Sequence, residues 1–138
     1  MFIWKYFFPA ALNKQQIIIN NQVITVEIAR TPVQLSQGLS GREKLCENCG
    51  MLFVFPVAGK YPFWMNEMKF NLDFVYINGK TVVDMVENVP YPKNGEQPQV
   101  IEAKKDFNEV LEIDAGTIRK LKIKIGDGVD EIASLRSQ

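Results

Sequence analysis

Histidine is absent from all 138 residues. Its absence excludes a Ser-His-Asp triad, a Cys-His dyad, an HExxH zinc site and imidazole acid–base chemistry. Cysteine is scarce as well, with only Cys46 and Cys49, in Cys46-Glu47-Asn48-Cys49. A zinc site wants four ligands, and no further Cys or His completes one. A redox CxxC normally opens a helix, whose dipole lowers the thiol pKa. Here Gly50 and an apolar strand follow Cys49 directly, so the pair belongs to a turn, reduced or closed as a small disulfide loop. Neither sign of charge is in excess: 16 Lys and Arg balance 16 Asp and Glu. Nothing in that balance recommends nucleic acid as a partner. No GxGxxG or GxxxxGK[ST] is present, so nucleotide cradling has no support. There is no internal repeat or low-complexity tract.

What is present suits one soluble domain. Hydrophobic residues make up 46% and charged residues 23% of the chain, which argues against disorder. The length fits a single domain of the common size, roughly 100–150 residues. The organisation expected is an aromatic segment over residues 1–13 and a β domain over 14–138. The segment begins Met1-Phe2-Ile3-Trp4-Lys5-Tyr6-Phe7-Phe8. It is shorter than the about 20 apolar residues a membrane helix needs. It also makes a poor secretory signal, since Lys5 interrupts it and no charged region precedes it. Three readings stand: the remnant of a longer anchor or signal, an interfacial anchor with Trp4 and Tyr6 at headgroup level, or a segment docked on the domain's own core.

Most of the remainder reads as strands. Gln16–Ile19 and Val23–Ala29 flank Asn20-Asn21 and predict a hairpin. Thr31-Pro32 predicts a helix start, with Val33, Leu35 and Leu39 inward and an end near Gly38. Ser40–Leu45 suggests another brief helical turn. Met51–Phe55 is an apolar strand stopped by Pro56, its lack of alternation implying burial on both faces. Phe63-Trp64-Met65 predicts a short strand, and Leu72–Ile77 with Thr81–Val86 around Asn78-Gly79-Lys80 the clearest hairpin. Pro90–Asp106 reads as a long loop. Glu109–Asp114 predicts a strand, Ala115–Lys120 a helical turn or two capped by Asp114, and Leu121–Ile125 a last alternating strand. Many short strands with one or two short helices predict a mainly β, single-domain antiparallel sandwich or barrel.

Four segments then resemble one family. Gly38-Leu39-Ser40-Gly41-Arg42 with Gly50-Met51-Leu52-Phe53-Val54-Phe55 is similar to the GLM-x-R…GMLFxF signature of DUF192 (UPF0127). Phe63-Trp64-Met65 with Leu72-Asp73, Leu111-Glu112-Ile113-Asp114-Ala115-Gly116, and Ile125-Gly126-Asp127 resemble its FWM…LD, LE-x-x-AG and GD elements in the same order. The resemblance implies a compact, mostly β domain of jelly-roll-like character, no established activity, and an extracytoplasmic or membrane-associated location. The chain departs from the pattern at Ser40, at Asn66-Glu67 and at Asn71.

Five positions draw attention for chemistry. Trp64 is an aromatic platform for a sugar ring or other flat ligand, or else a core indole; alternation sets it on the face opposite Phe63 and Met65. Asp73 is a carboxylate inside an apolar strand and needs a partner. Arg42 is its natural counter-ion, able to bind a carboxylate through two parallel N–H bonds, with Glu112 a rival for the same arginine. Asp73 with Glu112 or Glu67, facing each other across a groove, would make an acid–base pair that needs no histidine. The expectation is a non-catalytic domain binding a small molecule or glycan at a cleft formed by Trp64, Met65, Asn66, Glu67, Asp73 and Arg42. No metal or cofactor is implied. The alternatives are a hydrolase or lyase with paired carboxylates, and an accessory protein contacting the membrane surface through its N-terminal segment.

Overall fold

A computed structural model describes residues 12–132. The aromatic N-terminal stretch therefore lies outside the described residues, apart from Leu12, which packs against the core.

The expected hairpin forms from β1 (Lys14–Ile19) and β2 (Gln22–Ala29). Asn20 and Asn21 both take positive φ, 52° and 60°, as the tight turns that match strand twist require. After Thr31 comes α1 (Pro32–Gln37), opened by a complete capping box. The Thr31 hydroxyl accepts from the Gln34 N–H at 3.2 Å, and the Gln34 side chain accepts from the Thr31 N–H at 3.1 Å. The helix then stops at Gly38, whose φ is +50°.

Next in order are β3 (Cys49–Gly59), β4 (Phe63–Trp64), β5 (Leu72–Asn78), β6 (Thr81–Val89), β7 (Val100–Ile101), β8 (Phe107–Asp114), α2 (Thr117–Leu121) and β9 (Val129–Glu131). Seven strands form one sheet in the order β6-β5-β8-β3-β2-β1-β9, and β4 with β7 makes a separate two-stranded ribbon. The fold is mainly β and single-domain, a sheet curled into half a barrel with two short helices. Within it β2 and β3 run parallel, the other neighbours antiparallel. A bridge between Thr81 and Gly128 ties β6 to the segment entering β9.

Side chains alternate across this sheet and sort into two clusters. Ile17, Ile24, Leu52, Val75, Leu111 and Val129 fill one face, sealed by Ile118 and Leu121 of α2. Met51, Phe53, Phe74, Tyr76, Phe107 and Val110 fill the other, under Leu39, Met65 and Ile101.

Several expectations need correction. Val33 is 74% exposed, not inward; α1 is a six-residue helix that turns only Leu35 and the following Leu39 toward the core. Ser40–Leu45 forms turns and irregular backbone, not a helix. β3 continues through Pro56 to Gly59, because the pairing with β8 breaks register after Val54 and leaves the proline exposed, with no ladder bond to lose. The loop Pro90–Asp106 contains β7. Leu121–Ile125 is not a strand: α2 ends at Leu121 and Lys122 turns the chain with φ of 56°. The edge of β1 is taken instead by β9. Finally, Asp114 does not cap α2. Its N-cap is Gly116, which has no side chain to offer, and the acceptor comes from elsewhere in the chain.

Candidate functional site

That acceptor is Asp73. Its carboxylate takes hydrogen bonds from the N–H groups of Gly116 and Ile118, both at 3.0 Å, and of Asn88 at 2.8 Å. Three amide donors account for a wholly buried carboxylate in an apolar strand. Asp73 thus fastens α2 and the end of β6 onto β5.

Arg42 is not its partner. The guanidinium pairs with both carboxylate oxygens of Glu27 on β2, one contact at 3.2 Å. The Glu27 pairing follows from the turn after Gly41, which sets Arg42 beside β2. Nor can Asp73 and Glu112 face each other across a groove. Across the β5–β8 ladder Phe74 opposes Glu112 and Asp73 opposes Ile113. Opposed residues share a face and successive residues alternate, so the two acids lie on opposite faces of the sheet.

Glu112 is the unusual group. It sits mid-strand on β8, opposite Met51 on one side and Phe74 on the other. It is 5% exposed. Among the described residues, no hydrogen bond or ion pair reaches its carboxylate. Burial pushes its pKa up to about 8, because a charged carboxylate without water or a counter-ion is disfavoured. Tyr76, two residues along β5 from Phe74, has a buried hydroxyl that also lacks a hydrogen-bond partner among the described residues. Its pKa is raised by burial first, then by Asp84 and Glu112.

The Glu112 side chain opens into a cavity of about 360 Å³ between the α1 turn and the β3–β4 region. One wall is the segment from Leu35 to Ser40. The other is aromatic: Phe53, Phe55, Tyr61, Phe63 and Trp64. Local sequence builds both. Gly38 lets α1 end against Phe53, since a Cβ there would stand 3.1 Å from the Phe53 ring. The Ser40 hydroxyl donates to the Asn66 carbonyl and the Gly41 N–H to the Glu67 carbonyl, both at 3.0 Å, which ties the α1 turn to the loop after β4. Phe55 stacks on Tyr61 with centroids 4.2 Å apart, and Phe53 meets Phe63 edge to face at 5.1 Å. Pairing of β4 with β7 holds Phe63 inward and leaves Trp64 59% exposed.

Trp64 also borders a second hollow, shared with Ser36, Gln37 and Ser40 and lined further by Asn66 and Glu67. Of the cleft residues expected from sequence, Trp64, Asn66 and Glu67 therefore meet in adjoining hollows. Met65 is fully buried in the core beneath them. Asp73 and Arg42 lie elsewhere, Arg42 in a hollow beside Cys46 and Cys49. Those cysteines are joined in a disulfide. Among the described residues no group of three or more Cys, Asp or Glu converges as a metal site. The sequence reading missed the aromatic wall of Phe53, Phe55, Tyr61 and Phe63, and set Glu112 either as a rival partner for Arg42 or as the second acid beside Asp73. The available signal was the phase of β8, where Glu112 falls between Leu111 and Ile113 on the face opposite theirs.

Comparison with known proteins adds family and fold. Residues 15–131 match the DUF192 family model, described as an uncharacterized ACR. A solved structure from Sinorhizobium meliloti 1021, described provisionally as a transcription regulator, superposes with a TM-score of 0.79. It has 27% identity, over 90% of this chain and 98% of that one. A protein of unknown function from Novosphingobium aromaticivorans DSM 12444 gives 0.76, with 28% identity over 89% of each chain. No curated protein matches.

Proposed function

We propose, from the premise that this chain belongs to the DUF192 family, that its domain binds a small ligand in the cleft between α1 and β4 without transforming it. The single observation that carries this reading is the Glu112 carboxyl, buried, without a partner among the described residues, and open to an aromatic-lined cavity. A polar group held in that state is unfavourable for the empty protein. A ligand that supplies its missing partner recovers the loss. The cavity falls within the range of small-molecule sites, about 300–1,000 Å³, and sets an aromatic wall against a partly polar one that includes Ser36, Gln37 and Ser40.

Catalysis by two carboxylates asks for a second acid in the same cleft. Asp73 faces the other way, and Glu67 borders the neighbouring hollow. A glycan on the Trp64 platform is one form of the binding reading, with Trp64 and Glu67 at the cleft mouth.

A thermal-shift screen of the full chain against small metabolites, amines and sugars tests the proposal. A ligand at about 100 times its Kd adds about 2.7 kcal/mol to stability, a rise of several degrees for a domain of this size. The expected result is a hit whose shift is lost in Trp64→Ala. A screen flat across all classes, or hits indifferent to both Trp64→Ala and Glu112→Gln, overturns it.

A further inference from the structure

The lining of the two hollows is unequal in charge. Glu112 opens into the first and Glu67 into the second, and neither contains a Lys or Arg. An anionic ligand would find no cationic side chain to pair with in either hollow. The Ser40 hydroxyl donates to the Asn66 carbonyl and the Tyr61 hydroxyl to the Val57 carbonyl, and both keep acceptor capacity only; Glu112 is the one acid of the first hollow. The wall opposite the α1 turn is aromatic. One acidic terminus at the end of an aromatic slot matches a ligand with one cationic terminus and an apolar body. Aromatic faces attract cations by their quadrupole, more strongly when desolvated. A buried carboxylate without a counter-ion is the complementary half of a buried ion pair.

We propose that the cleft takes a small organic ammonium ion: its N–H donors meet the Glu112 carboxylate and its carbon skeleton lies among Phe53, Phe55, Phe63 and Trp64. This inference rests on the small-ligand reading and narrows it. It carries a pH signature. In the empty cleft, burial holds the Glu112 proton on up to about pH 8, so the cation must displace that proton to form the pair. The titratable group that interacts with Glu112 from β5 is Tyr76, which Asp84 of β6 also influences. Tyr61 lines the same cavity, and Glu67 borders the hollow beyond Trp64; the α1 wall contributes none. Affinity for the ammonium should rise about tenfold per pH unit from pH 6 to 8 and level off above.

Calorimetric titration of the full chain with benzylammonium and with benzyl alcohol, its neutral counterpart, tests this at pH 6 and pH 8. The expected result is binding of benzylammonium at least tenfold tighter than benzyl alcohol at pH 8. At pH 6 the ammonium should bind roughly a hundredfold more weakly, with about one proton released per ligand bound. Glu112→Gln should cost the ammonium at least tenfold and leave the alcohol unchanged, and Trp64→Leu should weaken both. Equal affinity for the two probes, or an ammonium affinity unmoved by Glu112→Gln in a folded variant, overturns the cation while the small-ligand reading stands. Binding of neither probe overturns it too; the small-ligand reading falls only if the wider screen is also flat.

Discussion

Replacing Glu112 by glutamine should make the folded protein more stable at neutral pH, even as it damages the proposed site. The carboxyl titrates near its ordinary 4.5 in the unfolded chain and at about 8 in the folded one. The folded state therefore holds the proton more tightly. Stability from this group is fully present below about pH 4.5, is lost progressively as pH rises, and is gone once pH passes about 8. Each tenfold change in proton affinity is worth about 1.4 kcal/mol. The interval from 4.5 to about 8 thus amounts to a loss of about 5 kcal/mol, with about half of it falling between pH 5 and 7. Glutamine keeps the shape and a neutral polar end, so Glu112→Gln should be about 3 kcal/mol more stable than the parent at pH 7 and equal to it near pH 4. Urea unfolding followed by circular dichroism at pH 4, 5, 6, 7 and 8 gives the comparison. Glu109 and Asp114 are also raised, chiefly by burial, and slope the parent's curve the same way. The difference between parent and variant removes them. A difference that stays constant across this range would refute the assignment of Glu112 as a buried, unpartnered acid.

Three further outcomes follow from the same geometry. Asp73→Ala strips the acceptor from three amide donors and should cost about 3–5 kcal/mol in urea unfolding; a cost under about 1 kcal/mol would contradict its role as the clasp of α2. Gly50→Ala places a Cβ 2.6 Å from the Glu112 carbonyl and 2.7 Å from the Ile113 side chain, so it should destabilise by more than about 2 kcal/mol, and a neutral effect would mean that β3 and β8 lie farther apart. Tyr76→Phe removes a buried hydroxyl that has no partner among the described residues and should be neutral or stabilise by up to about 1 kcal/mol; a loss above about 1 kcal/mol would reveal a partner for that hydroxyl.

Much of the fold was legible because its signals are local. The Asn-Asn and Gly-Lys turns fixed two hairpins, and Thr31-Pro32 marked the start of α1. Trp64 was set opposite Phe63 and Met65 by alternation alone, and so it stands. What failed depends on partners distant in sequence. The alternation of Leu121–Ile125 describes burial only in part, with Leu121 and Ile123 inward and Ile125 exposed, and a strand also needs a free edge, which β9 occupies. Asp73 looked like half of an ion pair because sequence cannot show that α2, some forty residues later, would bring its amides to that carboxylate. The site was half legible for the same reason. Trp64, Asn66 and Glu67 are close in sequence and share a hollow. The cavity that Glu112 enters is assembled from α1, β3, β4 and β8, and only the tertiary fold joins them.

The most direct measurement of the central claim is a two-dimensional NMR titration of the full chain with benzylammonium, following backbone amides, the Trp64 indole N–H and the Glu112 side-chain carboxyl carbon. The predicted result is shifts confined to Ser36–Ser40, Phe53–Phe55, Phe63–Trp64 and Glu112, with the carboxyl carbon moving to its ionised position at pH 7 on binding. Shifts centred instead on the Asp73–Ile118 clasp or the Cys46–Cys49 turn, or a carboxyl carbon already ionised in the free protein at pH 6, would contradict it.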